Sequence, residues 1–378
     1  MQPCQKDNRS FFEKLQNAEG LDLRDNRGKK HQLAVVLVGV GLAVLSHRDG
    51  SLSSIRRHLA YHYEKLTIVL GVEKEQPVSR PQLPRILGKV AVEVFDNLLF
   101  SHFGIKLAEN ERKWFAADGK ELRGSIKTGA KRGEAVVQVT AHENRQTVAQ
   151  DYYCGKKESE QPIVRKLLKE KGLLGQKISL DALHCQVKTL EMIANGKGKY
   201  LVGVKNNQKE LLNQVIKASE NQTSLMQIRK DEKGHGRIET RSYEFNDILE
   251  MEKAERWKNC EIRTAIKVIR EREEVKSGKK SIETSYYISN EVGKYEEIAE
   301  AIRRHWQVET NNHLRDVTLQ EDAMRTQETI VNRVMAEVRT LATTILNCLN
   351  CQNKKAQLEN FADDFDSLIV TLNAFNFL

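Results

Sequence analysis

The stretch KISLDALHCQ, residues 177–186, is the one on which the reading of the fold turns. Ile178, Ser179 and Leu180 have strand character, yet the run closes on a carboxylate, Asp181, where a buried strand ordinarily stays apolar or stops on a turn residue. Its surroundings repeat one pattern. PIVRKLLKEKGLL (162–174) has helical spacing with Pro162 in the first turn, and QVKTLEMIANGKG (186–198) is a helix closing on glycine. YLVGVK (200–205) is a continuous apolar strand. Strands alternating with helices require crossover connections, hence parallel pairing in at least part of a sheet.

Upstream, WFAADGKELRGS (114–125) holds a second aspartate, Asp118, at the expected end of another short apolar run. EAVVQVTAHE (134–143) and QTVAQDYYC (146–154) read as strands of a hairpin turning through Asn144 and Arg145. Residues 1–110 read as a helical N-terminal domain, punctuated by Pro77, Pro81 and Pro84, and a candidate for DNA binding. Beyond Lys205 the order breaks. A charged helix and three alternating segments, RIETRSYEF (237–245), EIRTAIKVIRE (261–271) and SIETSYYIS (281–289), make a β-rich insertion at about 206–290. Helices then follow from about Glu296 to the end of a second domain spanning 111–378. The expected class is therefore α/β: a mixed sheet flanked by helices, with a β-rich insertion and a separate helical N-terminal domain.

The chain has 378 residues, 61 basic against 52 acidic, and a formal charge of +9. That balance favours an anionic partner, with nucleic acid first. The longest apolar run, LAVVLVGVGLAVLS (33–46), is shorter than the roughly 20 residues of a bilayer span, so it reads as a buried helix and no membrane partner is expected. Six cysteines lack a disulfide rhythm, and CLNC (348–351) lacks the second ligand pair of a zinc site. Reduced thiols and a cytoplasmic location are the corresponding expectations.

In open α/β sheets ligands gather at the carboxyl ends of parallel strands. If the strands of Asp118 and Asp181 are neighbours, their carboxylates share a cleft, and keeping both ionised calls for a cation. A hard divalent ion such as Mg²⁺ takes one or two protein carboxylates and fills its shell with water and phosphate. Taken singly, each aspartate has a plain alternative as a turn or helix-cap residue, DGK (118–120) above all. In RRHWQVETNNHLRDV (303–317), Glu309 has His305 four residues before it and His313 four after, one stripe on a helix face, with Asp316 near it. The spacing of a zinc protease motif is absent. Glu309 is the candidate third ligand, with Asp316 in reserve. Lys120, Arg123, Lys205, Asn207 and Gln208 follow the strand ends, and His235, Arg237 and Arg241 lie in the insertion; all are candidates for DNA contacts.

Together, ADGKELRGS (117–125), SLDALHCQ (179–186), YLVGVKNNQKEL (200–211), GHGRIETR (234–241) and HWQVETNNHLRDVTLQEDAMR (305–325) resemble the insertion-sequence transposases of the H-repeat-associated group. That group belongs to the DDE transposases, whose core is ribonuclease-H-like. The resemblance covers about 111–345 in the right motif order. It implies that Asp118, Asp181 and Glu309 form a metal-binding catalytic triad using Mg²⁺, with Mn²⁺ a substitute. It implies cleavage of phosphodiesters at transposon ends and attack of the freed 3′-hydroxyl on target DNA, without a covalent enzyme–DNA intermediate. The implied partners are double-stranded terminal inverted repeats and target DNA, bound by a dimer or larger assembly at synapsis. His184 and Gln186, with Cys185, are assigned support and DNA positioning, as are His305, His313 and Asp316. Related transposases with such an insertion often carry Arg four residues before the glutamate and Lys seven after it; His305 and Asp316 stand there in this chain. Within the subgroup, Thr310 and Leu314 replace an expected Asn and Trp. Two further readings use the same residues: a relic or regulator that binds DNA without catalysis, and a metal-dependent nuclease without strand joining.

Overall fold

The computed structural model describes residues 8–73, 76–104, 111–154, 159–221, 224–234, 236–248, 255–349 and 351–378. Six helices come first: α1 (Phe11–Gln16), α2 (Leu33–Leu45), α3 (Leu52–Tyr61), α4 (Tyr63–Val69), α5 (Gln82–Leu87) and α6 (Val92–Phe103). Every residue of α2 is buried, so the apolar run of the sequence is a core helix on all sides. Gly39 lets it sit close to α3, because a Cβ there would fall 2.0 Å from Leu59 Cδ1. At the start of α1, Ser10 and Glu13 form a reciprocal capping box that satisfies two otherwise unpaired N–H groups.

The core sheet has β1 (Trp114–Glu121), β2 (Glu134–Ala141), β3 (Thr147–Cys154), β4 (Lys177–Leu180) and β5 (Lys199–Val204), with α7 (Glu160–Glu170) and α8 (Val187–Asn195) as crossovers. The first three strands pair antiparallel, and β1, β4 and β5 pair parallel. Next come α9 (Lys209–Asn221), β6 (Met226–Gly234), β7 (Arg237–Asp247), β8 (Thr264–Glu274) and β9 (Lys280–Ser289). These strands do not form a detached module. β9 pairs antiparallel with β5, giving one nine-stranded sheet in the order β3-β2-β1-β4-β5-β9-β8-β7-β6. The sequence reading missed β6. Its side chains are mostly exposed and charged, so no apolar alternation marks it.

One face of the sheet packs Phe115, Ile178, Tyr200 and Val202 against α7, α8 and α9. The other carries Trp114, Leu201, Phe245 and Ile266 against α10 (Tyr295–His313). A five-residue π-turn, 314–318, prolongs α10; α11 (Thr329–Cys348), α12 (Lys354–Asp363) and α13 (Phe365–Ala374) follow. These last helices share one apolar cluster with α1–α6: Val334, Leu341, Phe361 and Leu368 lie with Phe11, Val40, Leu59 and Phe95. Helices from residues 11–103 and 329–374 thus share one core. Among the described residues no helix is long and apolar enough to cross a membrane.

Because that core draws on both ends of the chain, we expect Leu341→Ala to cost about 2–5 kcal/mol. Urea unfolding followed by circular dichroism checks this; a change within about 0.5 kcal/mol, the range of an ordinary surface substitution, would contradict it.

Candidate active site

The paired register of β1 and β4 ends with Ala117 opposite Leu180. Asp118 and Asp181 are the next residues on these neighbouring parallel strands, whose backbones run about 4.8 Å apart. Asp181 does end its strand. One of its oxygens accepts the N–H of Leu183 at 2.9 Å and caps the short 3-10 turn at Ala182–His184. Asp118 does not: it is mid-strand in β1, which continues to Glu121 because β2 pairs with it all the way. Asn312 Nδ2 donates to Asp118 Oδ2 at 3.1 Å, binding the strand to α10.

Glu309 comes to the same place on α10, and the helix is held by several anchors. The His305 ring shares a hydrogen bond with Ser179 Oγ at 2.9 Å, and the same hydroxyl meets His142 Nε2 at 2.9 Å. Ser179 lies two residues before Asp181, hence on the same face of β4. Trp114 Nε1 donates to Glu297 Oε1 at 2.7 Å, and Asn311 Nδ2 to the Arg145 carbonyl at 2.8 Å. Asp181, Glu309, His305, Trp306, Lys205 and Asn206 line a cavity of about 450 Å³. Trp306 is 48% exposed there, whereas Val308 and Leu314 pack inward.

The electrostatics are dominated by unmatched carboxylates. Burial pushes Asp118 up to about 7, and Glu160, Asp181 and Glu309 push in the same direction. Burial, then Asp181, also raises Glu309, against the pull of Lys205. Glu160 is a participant that sequence reasoning missed. It is 1% exposed, shares a hydrogen bond with His184 Nε2 at 2.9 Å and accepts one from the Tyr153 hydroxyl at 3.1 Å. Its carboxyl group crowds Gly119, where a Cβ would fall 2.3 Å away. In sequence it is one acid among several before Pro162, as at any solvated helix start, and nothing singles it out.

Among the described residues no group of three or more histidine, cysteine, aspartate or glutamate side chains is placed to hold a metal ion. In chemistry, though not in spacing, the three acids are the donor set of a hard divalent ion. Asp118, Asp181 and Glu309 offer oxygen only, they repel one another, and Asp181 and Glu309 are partly open to water.

The basic and amide candidates divide. Lys205 and Asn207 are exposed beside the cavity, and Asn207 Nδ2 also donates to the Ala182 carbonyl at 2.6 Å. Arg123 is exposed, its backbone N–H on Asp322 at 3.2 Å. Lys120 is 8% exposed, with its ammonium among carboxylates, so the phosphate contact expected of it is replaced by internal ion pairs. Asp316, the reserve ligand, is one of those partners and is thereby engaged away from the triad. Gln208 is buried and donates to the Cys185 carbonyl at 2.9 Å, which bonds it within the fold. Arg241 is buried against Glu239 and Glu232, and Arg237 pairs with Glu239 at 2.8 Å. His184 is fully buried, Gln186 is the N-cap residue of α8, and His313 is exposed. His235 lies outside the described residues.

Comparison with known proteins adds independent findings. The family profile described as "Transposase DDE domain" matches residues 109–345. The chain is 28% identical over 351 residues to "Putative transposase YncI" of Escherichia coli O157:H7, covering 88% of this chain and 86% of the relative. It is 26% identical over 338 residues to "H repeat-associated putative transposase YhhI" of Escherichia coli K12, covering 86% and 87%. A third relative, "Putative protein YbfL" of the same strain, is 27% identical over 338 residues, with the same coverage.

The histidines under the site give a test by acid. Burial holds His142 down to about 3 and His305 down to about 4, so both are neutral in the fold at pH 7. A histidine depressed in the fold contributes stability that is complete above its unfolded value near 6.5 and lost as pH falls toward the folded value. The raised carboxylates act in the opposite sense, so the informative quantity is a difference between two proteins. The stability gap between wild type and His142→Gln should narrow by up to about 1.4 kcal/mol per pH unit between pH 6.5 and 4. Urea melts at pH 7, 5.5 and 4 measure it, and a pH-independent gap would refute the neutral buried imidazole.

Proposed function

This chain belongs to the DDE transposases, and on that premise we propose that it cuts DNA at the ends of a mobile element and joins the freed 3′-hydroxyl to target DNA. The observation that carries the reading is that Asp118 and Asp181 follow the last registered pair of two adjacent parallel strands, with Glu309 of α10 close enough to feel Asp181 and to raise Asp118. These three side chains would hold the divalent ions, Mg²⁺ with Mn²⁺ able to substitute. Such ions, when bound, activate the attacking oxygen and stabilise the leaving oxygen of an in-line displacement.

The rest of the chemistry belongs to the chain. Asp118 is held in place by the Asn312 amide, and Asp181 by the turn it caps, so both carboxylates are oriented in advance toward the ions they would hold. The His305–Ser179 bond fixes the turn of α10 that precedes Glu309. Lys205, exposed in the same cavity, is positioned to neutralise a neighbouring phosphate, and Arg123 and Asn207 to contact the strand as it leaves the site. Arg237, Arg241 and Gln208 have their heads engaged within the fold and carry less of that role in this proposal. The substrates are double-stranded terminal repeats and target DNA, and synapsis of two ends calls for at least a dimer. The location that fits this substrate is the cytoplasm.

The decisive measurement uses purified protein and a plasmid carrying the DNA that flanks its own gene. Nicking, excision and joining are followed on gels with Mg²⁺, with EDTA, and with each of Asp118→Asn, Asp181→Asn and Glu309→Gln. Loss of one ligand removes several kcal/mol of transition-state stabilisation, so cleavage should fall by about two to four orders of magnitude. Binding to the flanking DNA should persist and weaken steeply with salt. Salt-sensitive binding with no cut under any metal condition would replace this reading by a DNA-binding relic; metal-dependent cuts never followed by joining would reduce it to a nuclease.

A further inference from the structure

Two residues beyond Asp118, on the same face of β1, Lys120 is enclosed by acids from the far end of the glutamate helix. Its ammonium lies 2.7 Å from Asp316 Oδ1, 2.9 Å from Glu321 Oε2 and 3.5 Å from Asp322 Oδ1. Asp316 stands in the π-turn that prolongs α10, seven residues after Glu309. The same turn contains Arg315, buried and bound to both oxygens of Glu321 at 3.0 and 2.6 Å, with Nη1 on Thr340 of α11 at 3.3 Å. Arg339 of α11 closes the assembly on the Leu319 carbonyl at 3.0 Å. None of these residues lines the cavity of Glu309, yet the turn that prolongs α10 is tied through Lys120 to the strand of Asp118 and through Arg315 to α11.

We propose that Lys120 is a positioning residue that sets the spacing of Glu309 from Asp118 by clamping the π-turn onto β1. The proposal rests on the transposase reading. Strand β1 then grips one helical run at two points: Asp118 through Asn312, and Lys120 through Asp316. Glu309 lies just ahead of both. Two carboxylates that repel one another move apart unless something fixes their backbones, and a bare salt bridge at the surface would not suffice. Here the ammonium is buried and shared among three acids, Glu321 buried with it and Asp316 35% exposed, and π-turns inside helices occur frequently at functional sites. A lysine spent in this way serves metal binding without touching metal or DNA.

The variants are Asp316→Asn, which keeps Lys120 on Glu321, Lys120→Met, which removes the clamp, and Lys120→Arg, which retains the charge. Three quantities are read in each: the Mg²⁺ concentration for half-maximal cleavage, Mn²⁺ binding to the protein–DNA complex by loss of the free-ion EPR signal, and affinity for the flanking DNA. Metal affinity should fall by about tenfold or more in Asp316→Asn and further in Lys120→Met, with partial recovery in Lys120→Arg. DNA affinity should change by less than about twofold, a difference too small to reflect a lost phosphate contact. Unchanged Mg²⁺ and Mn²⁺ dependence alongside a lower melting temperature would reduce the cluster to fold stability and overturn the proposal. Weaker DNA binding with a shallower salt slope in Lys120→Met, and none of this in Asp316→Asn, would make Lys120 a phosphate contact instead. Should Lys120→Met fail to fold, Asp316→Asn decides alone. A wild type that neither binds Mn²⁺ nor cuts DNA sinks the transposase reading itself, whereas active wild type with unaltered variants sinks only the clamp.

Discussion

The parallel pairing of β1 with β4 is the constraint from which the rest of the site follows. Its last registered pair is Ala117 with Leu180, so the backbone itself delivers two carboxylates side by side. Hydrogen bonding along the sheet sets their separation at the Cα atoms, and neither side chain can withdraw far without breaking the ladder. The two strands behave differently beyond that point. β4 stops, and Asp181 turns the chain into a capped 3-10 turn; β1 continues, because β2 pairs with it through Glu121. Asp118 is therefore the deeper acid, and its raised proton affinity follows from that depth and from its acidic neighbours.

Assembling negative charge on one sheet edge is costly in the absence of a bound cation, and the surrounding structure is organised to withstand it. The buried Glu160–His184 pair braces the far side of the strands, with Gly119 leaving room for the carboxyl group. On the near side, the chain of His142, Ser179 and His305 pins α10 to β4 with neutral groups, which add no further charge beneath the acids. At the distal end, Lys120 and Arg315 gather the acids that follow the helix. Two of these polar clusters hold α10, and the third braces the strands beneath it.

Much of the core was legible in order. The apolar runs at 177–180 and 200–204, with helical spacing between them, announce parallel strands and crossovers, because a strand buried on both faces has no polar alternation. Other features were not legible. β6 is mostly charged, with Ile228 alone buried, and α11–α13 do not say in sequence which partner they bury against, although α11 is buried on all sides from Val334 to Leu346. Likewise Lys120, two residues after Asp118, reads the same whether it meets DNA or a carboxylate 196 positions later.

By itself, then, the sequence determined the α/β class of the core and the basic balance that favours a nucleic-acid partner, and it singled out Asp118, Asp181 and Glu309 as candidates, since these depend on residue type and local period. Only the tertiary structure decided which polar side chains stay at the surface and which are engaged inside the fold. Lys205 and Arg123 remain exposed, Arg123 with its Nε 3.8 Å from Asp322, while Lys120 and Arg241 are buried in ion pairs and the Gln208 amide is bonded to the Cys185 carbonyl. It also decided that β9 extends the core sheet and that the last helices share one apolar core with the first six. The physical reason is range. Propensity and periodicity act over a few residues, but an ion pair or a strand pairing is settled by what the folded chain brings within a few ångströms, from any distance along it.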